Sequence, residues 1–241
     1  VPIRDDWRVD VDALRSRVDR QTVLIAASAP QYPHGVIDPI EEVADVASDQ
    51  GIPCHVDACF GGFILPWIER LPKYDIPEWD FRVPGVTSIS ADIHKYGYGP
   101  KGSSVVVYRS MDYLKHQFFV ATDWPGGIYA SPSMQGTRPG GAIAAAWASL
   151  KAMGEEGYTE LARETMETKE DIHQRIARFP ELEVIGSEHT SIVTFRSCND
   201  DIDTYALADQ MVDKGWSMDR GQRPACLHLT VSAGNRPVAD E

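Results

Sequence analysis

A strand–helix–strand pattern near the start of the chain most constrains what it can fold into. Residues 22–27 (TVLIAA) and 53–57 (PCHVD) form two short apolar runs. Between them, Asp38, Pro39 and Glu41 occupy the N-cap, N1 and N3 positions of a capping box, which predicts a helix that runs to residue 50 and ends at Gly51. Two strands joined in this way pair in parallel with a right-handed crossover. The pattern predicts an α/β fold whose first strand is buried on both faces.

The later segments predict a mixed sheet followed by a smaller unit. Apolar runs at 86–91 and 103–108 flank a turn that is too short for a crossover helix, so we expect an antiparallel pair. Helices are expected at 142–153 and 155–179, interrupted around Gly154. A small α+β unit then has strands at 182–185, 191–195 and 227–232 and a helix at 205–214. We predict two domains, 1–153 and 154–241, the second incomplete.

Charge and composition exclude several classes of protein. With 23 basic and 36 acidic residues the formal net charge is −13, which argues against nucleic acid as a partner. The four cysteines form no C-x-x-C pair, so neither a zinc site nor a disulfide scaffold is indicated. No secretory signal or long apolar run is present in these residues, and we expect a cytoplasmic location. The chain lacks an initial methionine, and it ends at 238–241 where acidic residues would normally begin another helix, so we expect part of a longer protein.

Two residues at predicted strand ends carry the chemistry. Asp57 closes one strand, and Lys95 follows another after His94. Ligands of such sheets bind at the carboxyl ends of the strands, and an acid with a lysine there suggests pyridoxal phosphate (PLP). The acid would keep the pyridine nitrogen protonated, and the amine would form the Schiff base. The residues alone leave other interpretations open: Asp57 as a cap or ion-pair partner, or His55, Asp57 and His94 as metal ligands.

Four longer stretches resemble one family. Residues 55–63 (HVDACFGGF) and 80–104 closely resemble the sphingosine-1-phosphate lyases, and 28–35 (SAPQYPHG) and 129–140 (YASPSMQGTRPG) extend the match. These are fold-type I PLP enzymes, close to the group II amino-acid decarboxylases. The resemblance implies the later part of the PLP-binding large domain, with a mixed, mostly parallel sheet, followed by a small C-terminal α+β domain.

The resemblance also assigns roles by position. Lys95 matches the Schiff-base lysine, Asp57 the partner of the pyridine nitrogen, and His94 a residue near the cofactor phosphate. Ala58 is expected to pack on the ring. Lys101 matches a basic residue associated with the substrate phosphate, although a surface lysine is the alternative.

Further residues are weaker candidates. Ser28 could bind the ring's phenolic oxygen or simply end its strand, and His34 could face the substrate or be structural. Gly136 and Thr137, followed by Arg138, resemble a loop through which one subunit reaches the other's cofactor phosphate, which implies a homodimer. Tyr96 and Tyr98 could line the substrate channel, although packing is favoured.

The function implied by the resemblance is carbon–carbon cleavage. The family splits a phosphorylated sphingoid base between C2 and C3 into a long-chain aldehyde and phosphoethanolamine. A PLP-dependent amino-acid decarboxylase and a non-catalytic fragment are the alternatives. The family's phosphate-binding turn lies upstream of the matched region, and any membrane anchor is also expected in such a segment, outside this chain.

Overall fold

The computed structural model describes residues 1–186 and 189–240. Its α-helices are α1 (Val11–Arg17), α2 (Ile40–Asp49), α3 (Leu65–Ile68), α4 (Met111–Leu114), α5 (Gly140–Ile176) and α6 (Thr204–Val212), with 3₁₀ helices at Gly61–Phe63, Lys115–Gln117 and Ala233–Val238. Its strands are β1 (Ile25–Ser28), β2 (Cys54–Asp57), β3 (Val86–Ala91), β4 (Val105–Tyr108), β5 (Phe119–Ala121), β6 (Tyr129–Ser131), β7 (Leu182–Ile185), β8 (Ile192–Ser197), β9 (Asp219–Gly221) and β10 (Cys226–Thr230). A further helix was expected to begin at 238–241; Val238 instead ends a 3₁₀ helix, and Glu241 lies outside the described residues.

The first sheet has the order β1-β2-β3-β4, and it confirms the mixed topology predicted from the sequence. β1, β2 and β3 are parallel, and β4 pairs antiparallel to β3. The prediction for β1 was wrong in one respect. Ile25 and Ala27 are buried on one face of β1, but Ala26 on the other face is exposed, and Val23, which precedes the strand, is 81% exposed. The apolar run therefore indicated a strand but not its burial.

The predicted capping box at α2 does not form. The N-cap residue is Pro39, and no side chain caps the helix. The Asp38 carboxylate instead accepts hydrogen bonds from the backbone N–H groups of Val9 (3.1 Å) and Ser28 (2.9 Å). Burial raises the pKa of Asp38 in spite of these two bonds. The Asp38 side chain therefore binds backbone N–H groups outside the helix and does not cap α2.

The second sheet has the order β7-β8-β10-β9 and is antiparallel throughout. The predicted strands and helix of this unit are present, although β9 and the β5–β6 hairpin were not predicted. The expected helix interruption is also present, because Gly154 lies inside α5 with non-helical angles of φ 60° and ψ −176°.

Two apolar cores are joined by α5. Ala162 and Met166 pack into the core beneath the first sheet, whereas Ile172 packs into the core of the second. The predicted division at 153/154 coincides with the break at Gly154, yet Ala162 and Met166 lie beyond it. The domain boundary stays a prediction. None of the described helices is long and apolar enough to cross a membrane.

Candidate active site

Three polar residues lie side by side where the parallel strands end. Strand register pairs Ser28 with Asp57, and Asp57 with Ser90. The carboxyl ends of parallel strands form the usual binding edge of an α/β sheet. The structure therefore places Asp57 at the centre of this edge, as its position in the sequence predicted, with Ser28 on one side and Ser90 on the other.

The Asp57 carboxylate is fixed through one of its oxygens. Its Oδ1 accepts from the backbone N–H of Cys59 (3.0 Å) and from the Ser90 hydroxyl (3.3 Å). Ser90 in turn lies 3.1 Å from Nε2 of His55, and Nδ1 of that ring lies 2.8 Å from the Ser88 hydroxyl. Both of these donors reach Oδ1, which leaves Oδ2 as the acceptor for a further hydrogen bond.

The His55 contacts count against the metal interpretation. Both of its ring nitrogens already face serine hydroxyls, and burial lowers its pKa although Asp57 acts in the opposite direction. No group of three metal-ligating side chains occurs among residues 1–186 and 189–240. If Ser90 donates to Asp57, His55 must donate from Nε2, and the neutral ring then accepts from Ser88 at Nδ1.

Lys95 lies in the turn after β3. Its neighbours come from that turn and from the loop that follows β2. Its Nζ forms an ion pair with Asp92 Oδ2 (3.1 Å) and lies 4.3 Å from the centroid of the Phe60 ring. The Cys59 side chain is close enough to interact electrostatically with the amine. The Lys95 side chain is 25% exposed, so the amine is partly shielded yet reachable.

Neighbouring groups determine the charge of this lysine. Burial by itself would lower the pKa of Lys95, but its contacts with Cys59 and Asp92 outweigh burial and raise that pKa. Burial raises the pKa of the Cys59 thiol, and the opposing contact with Lys95 does not reverse this. The free amine is therefore held in its protonated form at neutral pH.

The structure corrects the prediction for Ala58. Ala58 is 0% exposed and lies in the first core, so it has no surface to offer to a cofactor ring. Cys59, the next residue, faces the site: it is half-buried and interacts with both Asp57 and Lys95. Alternation along an extended chain puts residues two apart on one side, so Asp57 and Cys59 share a face that Ala58 does not. We transfer the ring-packing prediction to Cys59.

His94 and Lys101 occupy the loop between β3 and β4. The half-buried His94 ring has Nδ1 at 3.4 Å from the Ser103 carbonyl and Nε2 at 3.7 Å from Asp92 Oδ2. Lys101 lies in an exposed turn and forms no ion pair with any described residue. Their roles toward the cofactor phosphate and the substrate phosphate stay predictions.

Several other candidates pack within the protein. His34 is buried, stacks on Trp7 with ring centroids 4.3 Å apart and contacts Gln31, which favours the structural interpretation. Tyr96 is 5% exposed and its hydroxyl is fully engaged, donating to the Val231 carbonyl and accepting from Ser191. These contacts agree with a packing role for Tyr96.

Tyr98 and the glycine loop are more exposed. Tyr98 is 36% exposed and lies near Tyr158 of α5. Gly136 has φ +63° with open space around it, and Thr137 is exposed. In the described parts of the chain, no hydrogen bond joins this loop to Lys95 or Asp57. The cofactor role of Gly136 and Thr137 stays a prediction.

Sequence reasoning missed three residues of the site. Phe60 and Asp92 contact Lys95, and Cys59 interacts with it electrostatically. Cys59 could have been found from its spacing of two from Asp57. Asp92 could have been found from its position three residues before Lys95 in a turn. Nothing in the local sequence indicates that Phe60 faces the amine.

Comparisons with known proteins identify the family. The pyridoxal-dependent decarboxylase conserved domain matches residues 2–198. The chain belongs to this family. It is 45% identical to the sphingosine-1-phosphate lyase of Arabidopsis thaliana over 241 residues, which is 100% of this chain and 44% of that protein. It is 46% identical to sphingosine-1-phosphate lyase 1 of Rattus norvegicus, covering 95% of this chain and 40% of that protein. The chain spans less than half the length of these curated relatives.

Solved structures confirm the fold-type I assignment. The sphingosine-1-phosphate lyase of Burkholderia pseudomallei superposes with a TM-score of 0.91 at 45% identity, covering 97% of this chain and 53% of that one. A glutamate decarboxylase of Lactobacillus brevis superposes with a TM-score of 0.84 at 24% identity, covering 99% of this chain and 57% of that one. The resemblance to the lyases predicted from the sequence is thus confirmed, and the second neighbour shows the shared fold.

The residues present fit PLP, the cofactor that the family implies. A carboxylate with one oxygen free of backbone and hydroxyl donors suits a protonated ring nitrogen, and a shielded primary amine suits the aldehyde carbon. Asp57 accepts from Cys59 N–H, and Cys59 interacts electrostatically with Lys95, which follows the adjacent parallel strand. Asp57 and Lys95 would hold the ring at opposite ends, with Cys59 against it.

Proposed function

We propose that this chain forms part of a PLP-dependent carbon–carbon lyase. Its substrate would be a phosphorylated sphingoid base, cleaved between C2 and C3 into a long-chain aldehyde and phosphoethanolamine. The observation that carries the proposal is that Asp57 ends β2 and Lys95 follows β3 at the same edge of the sheet, in a chain that is 45% identical to a solved lyase over 97% of its length. The cytoplasmic location expected from the sequence stays a prediction.

Asp57 acts in this proposal by holding a proton on the cofactor. Cys59 N–H and the Ser90 hydroxyl fix Oδ1, so Oδ2 can accept from the ring nitrogen and its negative charge stabilises the protonated ring. When bound, PLP supplies the electron sink for the charge that bond cleavage leaves on the substrate's α-carbon. An amide at position 57 would retain the shape but not this charge.

Lys101 supports a phosphorylated substrate. A lysine is a compact positive charge suited to phosphate, and Lys101 is exposed and unpaired among the residues that the structure describes. A decarboxylase acting on a plain amino acid has no such group to bind. Lys101 therefore separates the two candidate activities.

We also propose that the protein is a homodimer. Large apolar side chains are exposed along the β5–β6 hairpin and the start of α5, next to the Gly136–Thr137 loop: Phe119 57%, Val120 58%, Trp124 55%, Ile128 79%, Met134 105%, Ile143 56% and Trp147 65%. Exposed apolar patches of this kind mark interaction surfaces. A second copy on this face would bring the loop toward the other subunit, and sedimentation velocity should show twice the monomer mass.

Substitution of Lys101 tests the substrate in the protein expressed from its complete gene. Lys101→Ala should raise KM for a phosphorylated sphingoid base about tenfold, equivalent to about 1.4 kcal/mol of lost binding. Lys214→Ala, an exposed lysine in the C-terminal unit, is the control and should leave KM unchanged. Release of carbon dioxide from an amino acid, with no cleavage of phosphorylated amino alcohols and no effect of Lys101→Ala, would instead assign a decarboxylase.

A further inference from the structure

Asp92 is the anion that lies against the Lys95 amine. Its Oδ2 is 3.1 Å from Nζ of Lys95 and 3.7 Å from Nε2 of His94, while its Oδ1 accepts from the Ser104 hydroxyl at 2.6 Å. The Asp92 side chain is 21% exposed, so water screens this ion pair less than it screens one on the open surface. Ser104, at the far end of the turn, thus fixes the carboxylate toward Lys95.

The other groups facing the amine do not neutralise its charge. The Cys59 thiol has a raised pKa and stays uncharged at neutral pH, and Phe60 presents only the face of its ring. Asp57 lies beyond Cys59 and is bonded to Cys59 N–H and Ser90. Burial by itself would raise the pKa of Asp92, but the Ser104 hydrogen bond and Lys95 lower it overall. Asp92 is therefore the charged partner of Lys95.

We propose that Asp92 is a positioning residue that holds the Lys95 ammonium whenever the lysine is not bonded to the cofactor. The inference rests on the proposed PLP chemistry. To bond with the cofactor, Lys95 first releases a proton to solvent. The neutral Nζ then adds to the aldehyde carbon, a C=N bond forms, and the aldehyde oxygen leaves as water.

This role has a consequence for pH that a purely structural role lacks. An opposite charge within hydrogen-bond distance stabilises the ammonium form. Asp92, as the charged partner of Lys95, therefore raises the pH above which Lys95 captures PLP. It also keeps the displaced amine in place, so that the lysine can return to the same carbon.

Capture of PLP by the full-length apoprotein tests the proposal without any turnover. The absorbance of the protein-bound cofactor would be recorded against pH for the wild type, Asp92→Asn, Asp92→Glu and Asp112→Asn. Asp92→Asn should move the midpoint of capture down by about one pH unit, because the amide cannot stabilise the ammonium. Asp92→Glu retains the charge and should restore most of the wild-type midpoint. Asp112, an exposed acid paired with Lys115, is the matched control and should change nothing.

An unchanged midpoint in folded Asp92→Asn overturns the proposal. If that variant does not fold, Asp92→Ser replaces it under the same criterion. Borohydride reduction followed by peptide mapping separates this outcome from failure of the proposed function. A PLP label on a lysine other than Lys95 refutes the assigned chemistry itself, whereas a label on Lys95 with no shift in Asp92→Asn refutes only the role of Asp92.

Discussion

Replacing Tyr96 by Phe removes one hydroxyl that joins the site loop to the C-terminal sheet. The Tyr96 hydroxyl donates to the Val231 carbonyl at 2.7 Å and accepts from the Ser191 hydroxyl at 2.6 Å. Tyr96 is 5% exposed and Ser191 is 1% exposed, so water cannot replace the lost atom. Burial also raises the pKa of this phenol, which keeps it a donor throughout the neutral range.

The expected loss follows from the groups left behind. Phenylalanine leaves no significant cavity, so the cost comes from the Val231 carbonyl and the Ser191 hydroxyl. A buried polar group without a partner costs about 1–3 kcal/mol, and two such groups set the upper limit. Because the Ser191 hydroxyl can rotate toward another acceptor, we expect about 2–4 kcal/mol lower free energy of unfolding for Tyr96→Phe.

Urea unfolding followed by fluorescence measures this loss. Tyr113→Phe is the control, since the Tyr113 hydroxyl bonds to no described residue, and it should cost less than about 0.5 kcal/mol. Combining Tyr96→Phe with Ser191→Ala should cost less than the sum of the two, because both remove the same bond. A loss below about 1 kcal/mol, or strict additivity, would refute the packing role and reopen the substrate-channel interpretation.

Three further predictions address the cofactor, a glycine and the histidines. Asp57→Asn should reduce turnover far more than PLP affinity, because the amide cannot keep the ring nitrogen protonated; normal turnover would refute the assignment. Gly186→Ala should lower the melting temperature more than Gly51→Ala does. Both glycines have positive φ, but only at Gly186 would a Cβ lie 1.9 Å from the His34 carbonyl oxygen. Equal melting temperatures for the two variants would contradict this. Burial lowers the pKa of His55 and of His228, so the unfolded chain binds more protons than the folded one below about pH 6.5. The free energy of unfolding should therefore fall as the pH drops from 7 to 5, and His55→Gln should make that fall less steep.

Much of the fold was predictable because its signals are local. The short apolar runs and the glycines between them indicated β2, β3 and the break in α5 at Gly154. The antiparallel pairing of β3 and β4 followed from a turn too short to hold a helix. Register could not be predicted, since it depends on side chains from strands distant in the sequence.

The active-site residues divide in the same way. The sequence by itself determined that Asp57 and Lys95 follow strand ends, because strand length and chain order place them there. Only the tertiary structure decided that Ala58 is buried in the first core, that the Phe60 ring faces the Lys95 amine, and that Asp38 binds backbone donors instead of capping α2. Asp38 shows the physical reason: its carboxylate is partly buried and accepts from the backbone N–H groups of Val9 and Ser28, because the cost of leaving a buried polar group unpaired exceeds the local preference for a cap.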